Sequence, residues 1–175
     1  NSGDIALVHN GIIENYATLK RALEERGYTF QSETDTEVIP NLIEEVKNKK
    51  TPTIEAIRVA LNKVTGAYGL AIISKNDPDQ LFVARRGSPI VIGVGKKEFF
   101  VASDPAPIVE YTKNVIYLDD GDIAVLNRDG THKVIDIKNK IRNPKIKKLE
   151  LDLKAIEKGG FEHFMLKEIF EQSRA

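Results

Sequence analysis

The sequence predicts an α+β fold, and three observations carry that prediction. Apolar residues recur at helical spacing through roughly the first third of the chain. From Gly66 onward the period changes to short β-rich runs separated by Gly, Pro, Asn and Asp. The helices are grouped instead of alternating with strands, which suits packed layers and not a doubly wound parallel sheet.

The elements follow in order. Ile5 to Val8 is a continuous apolar run closed by His9-Asn10-Gly11, and it reads as a buried strand ending in a turn. Ile12, Tyr16, Leu19 and Leu23 predict a helix of about three turns ending at Gly27, a good C-cap residue. Ser32-Glu33-Thr34-Asp35-Thr36-Glu37 is rich in N-cap residues, so a second helix should start close to Glu37 with Val38, Ile39, Leu42, Ile43 and Val46 on its apolar face. Pro40 then falls in the first turn, where its missing N–H has no partner to lose. Thr53 is placed to cap a third helix carrying Ile54, Ile57, Leu61 and Val64 and ending at Thr65-Gly66. The strands expected next are Ala67 to Ser74, Leu81 to Ala84, Ile90 to Val94, Phe99 to Ala102, Val115 to Leu118, Ile123 to Leu126 and Lys133 to Ile137, with Asn127 to Gly130 as a hairpin turn. Phe161 to Gln172 has the pattern of an amphipathic helix.

At 175 residues the chain fits one domain with a sizeable core. Lys+Arg 26 balance Asp+Glu 26, so the field that phosphate-backbone binding requires is missing, and nucleic acid is not an expected partner. The densest basic stretch, Lys138 to Lys148, is interrupted by Ile141 and Pro144 and reads as a solvated segment. There are no cysteines, which removes disulfides, thiolate metal sites and any thiol nucleophile from these residues. His9, His132 and His163 lack metal-site spacing, so neither a metal nor another cofactor is expected. No apolar run reaches the roughly 18 residues of a membrane helix, and a soluble, cytoplasmic protein is the default expectation.

Two motifs invite a binding role. Gly93-Val94-Gly95-Lys96-Lys97 lacks Walker spacing and the Ser/Thr after Lys, so it reads as a hairpin turn. Arg85-Arg86-Gly87-Ser88-Pro89 could clamp an anion, and a polar turn between two strands explains it as well; with no GxSxG elbow, Ser88 is not a serine-hydrolase nucleophile.

His9-Asn10-Gly11 carries more chemistry. An Asn side-chain amide beside a Gly backbone N–H can aim two donors at one point, as an oxyanion hole requires, and Gly permits close approach of a substrate. The segment His9 to Tyr16 and the segment Ser32 to Val38 resemble the glutaminase domain of the glutamine–fructose-6-phosphate aminotransferase family. Arg86 to Gly93, Ala102-Ser103-Asp104, Leu118 to Asp122 and His163 to Ile169 resemble it in the same order, so the resemblance covers essentially the whole chain.

The resemblance implies a four-layer αββα sandwich of the N-terminal-nucleophile hydrolase type, one incomplete glutaminase domain over residues 1–175. It implies hydrolysis of glutamine to glutamate and ammonia by an N-terminal cysteine whose α-amino group acts as base. That cysteine, the arginine that grips the substrate carboxylate and the sugar-isomerase half of the family are not in these 175 residues, so the fragment is expected to be inactive alone. Asn10 and Gly11 match the family's catalytic oxyanion pair, and Asp35 matches the carboxylate that binds the α-ammonium of glutamine, although an Asp also suits the helix N-cap at that position. The implied partners are glutamine and the sugar-isomerase domain of the same parent chain, through which a homo-oligomer could form. A non-catalytic docking module with the same fold is the competing reading.

Overall fold

A computed structural model of the chain describes residues 3–48 and 50–149. The helix expected over 161–172 lies outside them. The elements are β1 (Ile5–Ile13), α1 (Tyr16–Glu24), a 3-10 turn (Asp35–Glu37), α2 (Val38–Val46), α3 (Thr53–Leu61), β2 (Gly66–Ser74), β3 (Gln80–Arg86), β4 (Val91–Val94), β5 (Phe99–Ala102), β6 (Asn114–Tyr117), β7 (Asp122–Asn127), β8 (His132–Asp136), β9 (Ile141–Arg142) and β10 (Lys147–Lys148).

They build two antiparallel sheets. The larger runs in the order β1-β2-β3-β7-β8-β9 and the smaller β10-β6-β4-β5. Strand alternation gives each sheet two faces. On one face of the larger sheet Ile13, Tyr68, Leu70, Ile72, Phe82 and Ile123 meet Leu23, Ile39, Ile43 and Ile57 of the helices. On the other face Val83, Ala124, Leu126 and Val134 meet Ile90, Ile92, Ile116 and Leu118 of the smaller sheet. The outer face of that sheet packs Val91 and Val115 against Ile108 and Val109 in the helical turns of residues 105–112. These four layers are the expected α+β sandwich, and each fully buried Leu, Ile or Phe contributes about 1.5–3 kcal/mol to it.

Several local expectations are corrected. β1 does not stop at Val8: it continues through His9-Asn10-Gly11 to Ile13, pairing Asn10 with Gly69 and Gly11 with Tyr68. Cross-strand pairing overrides the turn propensity of Asn-Gly. Gly11 has φ 136°, and a Cβ there would lie 2.1 Å from the Ala67 carbonyl oxygen, so the strand needs Gly at this point. Ile12 therefore belongs to the strand, and α1 begins only at Tyr16. Thr53 does not cap α3. Pro52 occupies the N-cap, and the Thr53 hydroxyl donates to the Asp77 carboxylate while accepting from Lys47 Nζ. α3 closes at Leu61, so Val64 lies beyond it and Gly66 opens β2.

Four further expectations agree with the structure. α2 starts at Val38 with Pro40 in its first turn. Gly93 to Lys97 lies in the β4–β5 hairpin, where Gly95 N–H donates to Glu98 O at 3.0 Å. Asn127 to Gly130 turns β7 into β8. The stretch Lys138 to Lys148 is mostly exposed, though it also supplies the two-residue strands β9 and β10. Among the described residues no helix is long and apolar enough to cross a membrane, and no group of three or more His, Cys, Asp or Glu is placed to hold a metal ion.

Candidate active site

β1 is an edge strand, and its hydrogen-bond alternation decides what Gly11 can do. In an antiparallel pair, successive residues point their N–H and C=O groups alternately at the partner and away from it. Asp4 O accepts from Lys75 N–H and Glu14 N–H donates to Thr65 O, so the even positions face β2. Ile13 N–H points the other way and donates to Asp35 Oδ2 at 2.6 Å. Gly11, two residues back, shares the orientation of Ile13, and its N–H faces the open edge of the sheet.

Asp35 is brought to that edge by the 3-10 turn. Its carboxylate is not an N-cap: the N-cap residue is Thr34, which makes no side-chain capping bond. Besides Ile13 N–H, Asp35 accepts the Thr36 hydroxyl at 3.3 Å. A carboxylate offers about four acceptor positions, so two remain. Thr36 Oγ1 also lies 2.9 Å from His9 Nδ1. Because the single hydroxyl proton of Thr36 goes to Asp35, His9 Nδ1 is the donor, and His9 Nε2 is left buried without a hydrogen bond. This His9–Thr36–Asp35 chain ties the turn to the strand at two places.

Asn10 occupies the neighbouring face. It pairs with Gly69, so its side chain projects on the side of Gly69, where the Ser88-Pro89 connection between the two sheets crosses over. The Asn10 amide makes no hydrogen bond among the described residues, and the residue is exposed. The structure thus brings Asn10, Gly11 and Asp35 together at one end of β1. Thr36 escaped the sequence reading because its cluster looked like helix-capping residues.

The two arginines of the Arg85 to Pro89 motif are spent on the fold. Arg85 donates to Ser88 O at 3.2 Å and to Leu118 O at 2.7 Å and pairs with Asp120, while Arg86 donates to Val64 O at 3.1 Å. Beside it, Tyr68 is fully buried; burial pushes its phenol above the ordinary value, the Asp120 charge adds to this, and Arg86 opposes it. Tyr68 stays neutral at physiological pH and serves as wall, not base.

Comparison with known proteins adds the following. Residues 1–110 match the family described as glutamine amidotransferase domain. Glutamine–fructose-6-phosphate aminotransferase (isomerizing) of Bacteroides thetaiotaomicron is 54% identical over 173 residues, covering 98% of this chain and 28% of that protein. The protein of that name from Chlorobaculum tepidum is 55% identical over 173 residues, again covering 98% of this chain and 28% of that protein. The chain therefore spans little more than a quarter of the length of these relatives. Among solved structures, glutamine phosphoribosylpyrophosphate amidotransferase from B. subtilis, complexed with ADP and GMP, superposes with a TM-score of 0.67 at 28% identity, covering 81% of this chain and 30% of that one.

Proposed function

Because this chain belongs to the glutamine amidotransferase domain family, we propose that residues 1–175 form one glutaminase domain of an enzyme that makes glucosamine-6-phosphate from fructose-6-phosphate and glutamine. In this reading a sugar-isomerase domain belongs to the same parent chain, and the enzyme acts in the cytoplasm. The observation that carries the proposal is the pairing on one strand edge of an outward Gly11 N–H with the Asp35 carboxylate, fixed two residues away at Ile13 N–H. Two residues of strand span about 7 Å. The Cδ and α-nitrogen of an extended glutamine stand roughly 5 Å apart, and a hydrogen bond at either end takes up the difference.

The chemistry follows from that placement. A thiolate attacks the side-chain amide carbon, a C–S bond forms, and the carbonyl electrons move onto oxygen. Gly11 N–H and the Asn10 amide meet that oxyanion, where donors fixed in advance stabilise the developing charge most. On collapse the C–N bond breaks, the nitrogen takes the proton that the thiol had given to its α-amino base and leaves as ammonia, and a thioester remains; water then attacks it through a second oxyanion held by the same pair, the C–S bond breaks, and glutamate and the thiol are released. Asp35 holds the α-ammonium throughout. The 175 residues contain no cysteine, so the thiol comes from outside them and these residues alone release no ammonia from glutamine.

The test is glutaminase kinetics on the protein as its gene encodes it. Asn10→Ala lowers kcat on the order of 10²-fold with KM little changed, because the lost donor matters chiefly in the transition state. Asp35→Asn keeps an acceptor for Ile13 N–H but loses the charge, so KM for glutamine rises while kcat holds. An unchanged KM in Asp35→Asn removes the substrate-binding role. Full activity in Asn10→Ala puts the oxyanion hole elsewhere, and a wild type that releases no ammonia from glutamine returns the docking-module reading.

A further inference from the structure

The site described so far offers a bound carboxamide two donors, yet that group has two N–H hydrogens of its own to place. We infer that Ser88 Oγ accepts an N–H of the reacting carboxamide and thereby selects an amide over an ester at this site; the inference rests on the glutaminase reading. Ser88 is 8% exposed, and its hydroxyl is not committed to a protein partner among the described residues, so its lone pairs are free to accept from a ligand.

Its position is tied to the strand that carries the oxyanion pair. A Cβ built on Gly11 would stand 2.8 Å from Ser88 Oγ. A Cβ on Gly69, the cross-strand partner of Asn10, would stand 3.7 Å from Ser88 Cβ and 3.1 Å from Pro89 O. Ser88 therefore lies over the Asn10–Gly69 pair, on the face toward which the Asn10 side chain projects.

The backbone around Ser88 is held on every side. Ser88 N–H donates to Arg86 O at 2.8 Å, Ser88 O accepts from Arg85 Nε at 3.2 Å, and Gly87 N–H donates to Asp120 Oδ1 at 2.9 Å. Such bracing fixes a small side chain to the precision a positioning group needs. The chemistry is complementary as well. The Gly11 N–H and the Asn10 NH2 can only donate, whereas a hydroxyl has lone pairs to accept with. Oxygen on the two donors and nitrogen on Ser88 would satisfy both ends of the carboxamide and fix the plane presented to the nucleophile.

The experiment compares two substrates in the protein as its gene encodes it: glutamine and the γ-methyl ester of glutamate, which has the same carbonyl but no N–H. Ser88→Ala, and Ser88→Cys as a space-filling variant with a weak acceptor, are measured beside wild type and Asn10→Ala. The expected result is a fall of about tenfold in the ratio of kcat/KM for amide over ester in both Ser88 variants, with the ratio unchanged in Asn10→Ala because its loss falls on both substrates. Equal losses on both substrates in the Ser88 variants, or no loss on glutamine, overturn the role of Ser88 and leave the glutaminase reading standing. A wild-type protein that releases no ammonia overturns that reading and the Ser88 role with it, whereas an Asn10→Ala variant active as wild type on both substrates moves the oxyanion hole away from Asn10 and overturns the Ser88 role argued from it.

Discussion

Glu37 fastens the loop that precedes α2, and its titration gives that fastening a pH dependence. Its carboxylate accepts Gln31 N–H at 2.9 Å, Ser32 N–H at 2.7 Å and the Ser32 hydroxyl at 2.6 Å. Burial pushes the carboxyl up, but the Ser32 hydroxyl and the two backbone N–H groups outweigh it and hold it below the ordinary carboxylate value. A carboxyl with a lowered folded-state pKa stabilises the fold above its unfolded value of about 4.3 and ceases to do so as pH falls through the folded value. Glu37→Gln keeps one acceptor oxygen, so it lowers the melting temperature by a few degrees at pH 7 and flattens the decline of wild type between about pH 5 and about pH 3. Melting curves across that range check it; parallel wild-type and variant profiles reject the assignment. At this scale the sequence singled out Asn10, Gly11 and Asp35 through their resemblance to a family, and the structure gathers them at one end of β1. It concealed the local duty of Asp35, which is to hold Ile13 N–H and not to cap a helix. Ser88 was illegible for a different reason: its neighbour Gly11 lies far away in the chain, and no local pattern records that approach.

Among the elements, those with a strong pattern of their own were readable. β5 has the bounds its apolar run predicts, and α2 starts where the cap-rich cluster ends. Elements defined by a partner were not. β1 reaches Ile13 because β2 pairs with it that far, and β9 and β10 are two-residue strands only through β8 and β6. The error at Thr53 exposes a tie between elements: Lys47 just past α2, Thr53 at the start of α3, Ser74 at the end of β2 and Asp77 in the following turn share one polar cluster. The Lys47 side chain is 16% exposed, and its ammonium lies 3.5 Å from the Asp77 carboxylate. Asp77→Ala leaves the ammonium with hydroxyls alone and costs about 2 kcal/mol. Lys47→Met combined with Asp77→Ala costs less than the two singly summed, since no unpaired charge remains. A double-mutant cycle in urea measures the coupling, and strict additivity would remove the tie.

On the scale of the molecule, the two sheets do not overlap fully. The smaller sheet packs on β3, β7 and β8, while the same face of β1 and β2 carries Val8 at 71%, Ile12 at 68% and Ile73 at 56% exposure beside Ala6, Ala67 and Ala71. An apolar face next to an open strand edge favours association. The 175-residue chain therefore self-associates with rising concentration, and Val8→Thr combined with Ile73→Thr shifts it toward monomer; sedimentation velocity over a hundredfold range of concentration reads the difference, and a wild type monomeric throughout would contradict it. The order of strands also bears on time. β2 follows β1 only after α1, α2 and α3, and β3 waits for β7 until the whole β4–β6 region has been made. Hairpins such as β2–β3 and β7–β8 close locally and fast, whereas these long closures give up much more chain freedom first. At a ribosomal pace of about 5–20 residues per second, the strand bearing Asn10 and Gly11 waits several seconds after its own synthesis for β2 to be made, so these two residues cannot take their paired places until all three helices have been translated.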